Sequence, residues 1–274
     1  MDFRLRPPAV AGMFYPSDPA RLRGVVEDYL ASAGAGTVIG QVASEPRGRL
    51  RAVIVPHAGL VYSGATAALA YQQLASQADE IRHIVMIGPA HRVGTPAIAL
   101  PGVDRFATPI GEVAIWAEGV EIALTQPQVV EAPVVHADEH SLEVQLPFTI
   151  KLFPEADILP LAVGWVEPEA VARVIETLWD HPGTVFIISS DLSHFLTYEA
   201  ARRLDQDTVD QILRLDAAID PDRACGAKGV SAICLVSANH GLTPQLFGLC
   251  NSGDTAGDKA RVVGYTAIGF YETE

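Results

Sequence analysis

The chain has 274 residues, 49% of them hydrophobic, enough to bury the core of one large domain or two small ones. No uninterrupted apolar run reaches bilayer-spanning length, and the opening residues lack the apolar centre of a signal peptide, so a cytoplasmic, membrane-free protein is expected. Lysine plus arginine number 19 against 33 aspartate plus glutamate, a formal charge of −14, which argues against nucleic acid or an anionic membrane as partner because both require a basic face.

In chain order, residues 7–16 read as an extended segment that lays apolar and aromatic side chains over a neighbour. Asp18 can cap a helix with Pro19 in its first turn and Leu22, Val25, Val26 and Leu30 on one face. Residues 32–48, rich in Gly, Ser and Ala, read as a surface loop. Strand, helix, strand then run from 50 to 88, with Ser63 as N-cap of the small-residue helix between them. A shorter strand at 97–100, a hairpin around 108–111 and a strand turning into helix over 112–124 follow. The polar cluster 136–143 leads into a helix on which Leu142, Leu146 and Ile150 recur, placing His140 and Glu143 one turn apart on a common face, with Pro147 kinking or ending it. Strands at 158–163 and 184–190 flank a helix at 168–179, and a charged covering helix spans 198–215. An apolar helix over 230–239 and two closing strands near 246–249 and 261–270 complete the pattern. Alternating strands and helices with no repeat and no internal linker predict one three-layer α/β domain over 1–274 with a mostly parallel central sheet.

The chemistry sits where the buried strands end. The first run closes on Pro56-His57, the second on Pro89-Ala90-His91, and the third on Asp191-Leu192-Ser193-His194. Open α/β sheets bind ligands just past the carboxyl ends of their strands. Cys225, in the turn before the apolar helix, adds a thiol. Neutral imidazole and thiolate select Zn, Fe(II) and Cu over Mg and Ca, and three protein ligands leave positions open for substrate. Any one of these histidines alone is more often an ordinary hydrogen-bonded loop residue. His83, His181 and His240 read as surface or capping residues, and Cys234 and Cys250 as packing or ambiguous. Three cysteines with no C-x-x-C pair match a reducing compartment. Glu139-His140-Ser141-Leu142-Glu143 is not the H-E-x-x-H zinc pattern; its plainer reading is a helix start capped by Asp138, with Glu139 against the dipole. Ser193 lacks the G-x-S-x-G elbow of a hydrolase, and the loop around Lys259 is not a complete P-loop.

Residues 7–16 (Pro-Pro-Ala-Val-Ala-Gly-Met-Phe-Tyr-Pro), Pro56-His57-Ala58-Gly59, Gly88-Pro89-Ala90-His91, the 139–143 cluster, Ser190-Asp191-Leu192-Ser193-His194 and the Cys225-Gly226 turn together resemble the Memo family. Its bacterial and archaeal members are named AmmeMemoRadiSam system protein B. The resemblance runs from about residue 6 to 270, and it implies a fold similar to the class III extradiol dioxygenases, which use non-haem Fe(II). It also implies that His57, His91 and Cys225 are the metal ligands, that His194 is an acid–base residue and that Asp191 lines the same pocket. His140 and Glu143 would be supporting or substrate-contacting groups. A cysteine where the ring-cleaving enzymes carry glutamate shifts preference toward Cu or Zn. The expected function is therefore metal-dependent, oxygenase-type redox chemistry with one transition-metal ion, Fe(II) or Cu ahead of Zn. Its substrate would be a small molecule or a peptide, and the chain could form a homo-oligomer. The competing expectations are a non-catalytic metal- or peptide-binding module in the same cleft and a zinc-dependent hydrolase.

Overall fold

A computed structural model describes residues 4–42 and 48–272. The short β1 (Leu5–Arg6) and helix α1 (Pro19–Gly34) precede β2 (Arg49–Val55), α2 (Leu60–Ala75) and β3 (His83–Pro89). An excursion follows: β4 (Ile98–Leu100), β5 (Arg105–Thr108), β6 (Gly111–Ala114), α3 (Ala117–Ala123), β7 (Val129–Glu131) and α4 (Pro133–Ala137). Helix α5 (Leu146–Leu152), β8 (Asp157–Val163), α6 (Pro168–Leu178), β9 (Thr184–Ser189) and β10 (His194–Leu196) return the chain to the main sheet. Helices α7 (Tyr198–Leu213) and α8 (Ala227–His240) and strands β11 (Thr243–Asn251) and β12 (Val262–Glu272) close it.

The main sheet runs β10-β12-β2-β9-β3-β8-β4-β7, with β11 also paired to β12. Its centre, β2-β9-β3-β8, is parallel, and its margins turn antiparallel at β12 and β4. Alternate residues of the central strands feed two cores. Val53, Val55, Met86 and Ile187 meet α1, α2 and α5, whereas Ala52, Ile54, Ile87 and Ile188 meet α6, α7 and α8. Both faces are covered, so the central strands are continuously apolar rather than alternating. Each fully buried aliphatic side chain contributes about 1.5–3 kcal/mol of transfer free energy. This is the expected three-layer α/β arrangement.

Several local expectations change. Helix α1 continues through Ser32 to Gly34, and part of the expected loop lies along β11, with Val42 N donating to Phe247 O and Leu249 N to Gly40 O; residues 43–47 of that loop fall outside the described residues. Ser63 is not a cap. Helix α2 begins at Leu60, and the Ser63 hydroxyl donates to Ala58 O from inside the first turn. Pro147 opens α5 rather than kinking it, because its missing N–H costs nothing in the first turn. Asp138 is the C-cap of the short α4, and no helix starts at Glu139. Helix α7 is more than a cover, since Ala201, Asp205, Thr208, Val209 and Ile212 are buried.

Candidate metal centre

The parallel centre of the sheet delivers its strand ends to one point. His57 lies two residues past β2, His91 two past β3 and Asp191 two past β9. His140 comes from the loop between α4 and α5, and Cys225 from the turn ahead of α8. Ligand atoms of His57, His91 and His140 all lie within 4.8 Å of one another. The His91 and His140 rings stack at 4.7 Å, and His57 stands edge-on to both. Cys225 Sγ approaches His57 Nε2 to 3.2 Å.

The hydrogen bonds around these rings set their tautomers. Ser189 Oγ donates to Ser141 O at 2.6 Å and accepts from Gln145 Nε2 at 2.9 Å. A hydroxyl has one proton to give, and a carbonyl can only accept, so Ser189 must also accept from His57 Nδ1 at 2.9 Å. His57 Nε2 therefore carries a lone pair, and it faces Cys225. His91 Nδ1 contacts the Glu139 carboxylate at 2.9 Å, an acceptor that fixes a proton on Nδ1. The Nδ1 of His140 is buried without a hydrogen-bond partner, 3.3 Å from Glu139 Oε1 but outside hydrogen-bonding geometry.

Electrostatics favours the neutral state of His57 and His140. Burial lowers the pKa of His57 well below the ordinary imidazole value, and the neighbouring His91 and His140 lower it further. Burial likewise pulls His140 down to about 4, against the opposing pull of Glu139. For Glu139, burial alone would raise the pKa. Hydrogen bonds from His91 and from the backbone N–H of Ser141 and His91 overcome it, so the carboxylate stays ionised. The Cys225 thiol is pushed up by burial and by Asp191, so a cation would have to displace its proton. Three imidazoles with ligand atoms within 4.8 Å of one another are the donor set of a borderline-soft transition ion, and the residues present fit one; the Cys225 thiol lies 3.2 Å from His57 Nε2 at the edge of that group.

The remaining expected site residues divide. Asp191 lies beneath the cluster, with its Oδ1 accepting from His57 N at 2.7 Å. Burial pushes its pKa up to about 7 even though the N–H groups of His57 and Ala58 oppose the shift. Asp191, His140 and His194 line one cavity of about 510 Å³, with His194 exposed at its mouth. Desolvation by the cavity wall lowers the His194 pKa. Glu143 is elsewhere. Its fully buried carboxylate binds Arg6 at 2.6 Å, the N–H groups of Ala9 and Val10, and the Tyr15 hydroxyl at 2.5 Å. It anchors the 6–15 strap, which in turn presses Phe14 onto the His140 ring at 4.6 Å. The sequence reading missed the role of Glu139, whose carboxylate holds the His91 ring and accepts from four backbone N–H groups, those of His91, Arg92, His140 and Ser141. Its position directly before His140 was the only available signal.

The profile of the family described as Memo-like protein matches residues 6–269. A MEMO1 family protein of Archaeoglobus fulgidus is 34% identical over 281 aligned residues, which cover 97% of this chain and 99% of that protein. Those of Ignicoccus hospitalis and Aquifex aeolicus are 34% and 33% identical, each over 97% of this chain and over 98% and 99% of their own lengths. With a profile match over almost its whole length and full-length relatives at about one-third identity, the chain belongs to the Memo family.

Proposed function

We propose that this chain holds one transition-metal ion, Fe(II) or Cu ahead of Zn, and carries out oxygenase-type redox chemistry on a small molecule or peptide. The observation that supports this reading best is the meeting of three imidazoles within 4.8 Å, with the Nε2 of His57 freed by the hydrogen bond of its Nδ1 to Ser189. His57, His91 and Cys225 would hold the ion, with His140 as a further imidazole beside them. Such an ion supplies Lewis acidity and one-electron chemistry toward oxygen.

The protein's own groups do the rest. Glu139 and Ser189 orient the two imidazoles, and a carboxylate behind a ligating histidine raises its basicity. His194 and Asp191 stand on the wall of one cavity, where each can hold or move a proton at a substrate atom. A cation at the cluster would draw the Asp191 pKa below the value near 7 to which burial raises it against its backbone hydrogen bonds. Among the described residues no helix is long and apolar enough to cross a membrane, and three free thiols suit the cytoplasm.

The test is elemental analysis and oxygen uptake of anaerobically purified wild type, His57→Ala and His194→Ala. The reading expects close to one equivalent of iron or copper in the wild type and a loss of about tenfold or more in His57→Ala. In His194→Ala the metal should stay while oxygen uptake falls by about 10²-fold or more. Equal, negligible metal in wild type and His57→Ala sinks the reading. Unchanged uptake in His194→Ala with metal retained would mark a binding module, and zinc with oxygen-independent turnover a hydrolase.

A further inference from the structure

Two cavities reach the histidine cluster, and they share no wall residue. The first, already described, carries His140, Asp191 and His194. The second, of about 310 Å³, is walled in part by His91 and Cys225 and lies beside the start of α8. That volume is near the lower end of small-molecule sites, which run from about 300 to 1,000 Å³, and suits a single-ring compound better than a peptide.

Two features of the second cavity bear on what it can hold. Trp165 is 77% exposed, whereas Trp116 and Trp179 are each 3% exposed. Yet its ring is held. A Cβ built on Gly94 would fall 2.6 Å from Trp165 Cη2 and 2.7 Å from Cζ2, so the indole lies against bare backbone that only glycine can offer. Its own backbone is tied down as well, with Trp165 N donating to Thr95 O at 2.7 Å and Gly164 N to Ala97 O at 3.0 Å. A large aromatic surface kept in water but ordered in advance is suited to receiving another flat surface.

The second feature is charge. In a chain of formal charge −14, no carboxylate among the described residues lines this cavity, and Lys228 is the one fully charged wall residue among them. Lys228 has only a loose partner, Glu167, at 3.9 Å with the Glu167 side chain 82% exposed, and such surface pairs are worth about 0–1 kcal/mol. Lys228 is also in the first turn of α8, whose cap, Gly226, supplies no side-chain acceptor to the helix donors.

We propose that the cavity between Trp165 and Lys228 binds a small flat monoanion, a carboxylate on a conjugated or aromatic body, with the body against Trp165 and the carboxylate at Lys228. The anion would thus lie on the His91 and Cys225 side of the cluster, leaving the His194 cavity for a second reactant. As a statement about substrate this rests on the metal-centre reading above. As a statement about binding it needs no metal.

The experiment is therefore done on metal-free, full-length protein with benzoate as the probe. Benzamide (flat and neutral) and cyclohexanecarboxylate (anionic and puckered) are the controls. Because Trp165 is the exposed tryptophan, benzoate should quench the protein's fluorescence saturably. By calorimetry benzoate should bind about tenfold or more tightly than either control, the size expected for one charge-assisted hydrogen bond. Lys228→Gln should weaken benzoate by about tenfold while leaving benzamide unchanged. Trp165→Leu should remove the quench and weaken binding, and Gly94→Ala, which displaces the ring, should weaken it too. Far-UV circular dichroism on each variant establishes that the fold is intact. The proposal is overturned if benzoate fails to bind at millimolar concentration, if it binds no better than the controls, or if Lys228→Gln and Trp165→Leu bind it like the wild type. Metal content is read separately on His57→Ala. Benzoate binding with no metal loss there keeps the cavity and removes the metal centre, and the reverse pattern keeps the metal centre and removes the cavity.

Discussion

At the scale of single residues, the two glutamates of the 139–143 cluster have different tasks, and each can be tested. Glu139 accepts from the ring of His91 and from the backbone of His91, Arg92, His140 and Ser141, so it shapes the loop and the His91 ring together. Glu139→Gln keeps the shape but removes the charge and one acceptor. Metal affinity, measured by competition with a chelator, should fall about 10–100-fold, and an unchanged affinity would refute its role behind His91. Glu143 forms a buried pair with Arg6, the two side chains 0% and 5% exposed. Removing one partner strands the other charge, at a cost of about 3–5 kcal/mol. Glu143→Ala should therefore lose about that much stability in urea unfolding while the folded fraction still takes up metal normally. A folded variant with full stability and no metal would return Glu143 to the site. The reason the sequence could not separate the two is physical. Both are acids within three residues of His140, and what distinguishes them is contact with residues 48 and 137 positions away.

At the scale of elements, the parallel centre was legible because a strand buried on both faces must be apolar along its buried core, and residues 52–55 of β2, 84–87 of β3 and 185–188 of β9 are. Their histidine and aspartate ends were legible for the same reason, as polar residues arriving at once after such runs. The margins were not. Strands β4 and β7 have three residues each, too short to show a period, and α4 has only five. Strand β10 is equally short and depends on its neighbour, with Leu192 N donating to Gly264 O and Gly264 N to Ser193 O. That exchange brings β12 against α7 so closely that a Cβ on Gly264 would meet Asp205 Oδ2 at 2.0 Å. Gly264→Ala must displace the buried Asp205 carboxylate, which accepts from Ser193 N beside His194, or part the strand from the helix. It should cost about 1–3 kcal/mol in urea unfolding, as overpacking does, and alter His194-dependent activity before it alters metal content. A fully stable Gly264→Ala would mean that α7 yields freely.

At the scale of the whole molecule, stability against pH sums groups of opposite sign. Asp205 and Asp191 are raised by burial to about 6 and about 7. Above the usual carboxylate range the folded state keeps protons that the unfolded chain releases, so these two groups favour the fold as pH falls. His136 acts the other way and lies apart from the cluster, bonded to Ala99 O through Nε2 and 2% exposed. Burial lowers its pKa to about 4, and Arg6 adds to the shift while the Ala99 carbonyl opposes it. The unfolded chain takes up a proton near pH 6.5 that the folded state refuses until about pH 4, so the stability His136 contributes is present above 6.5 and drains away as pH falls toward 4. Because the aspartates run against it, the wild-type curve alone cannot isolate this contribution, but the difference from His136→Gln can. Glutamine keeps an N–H for Ala99 O and does not titrate. The variant is expected to be less stable than wild type at pH 7 and to recover about 2–3 kcal/mol of that deficit by pH 4.5. Urea unfolding at intervals between those pH values measures the difference, and two parallel curves would show that His136 titrates normally inside the fold.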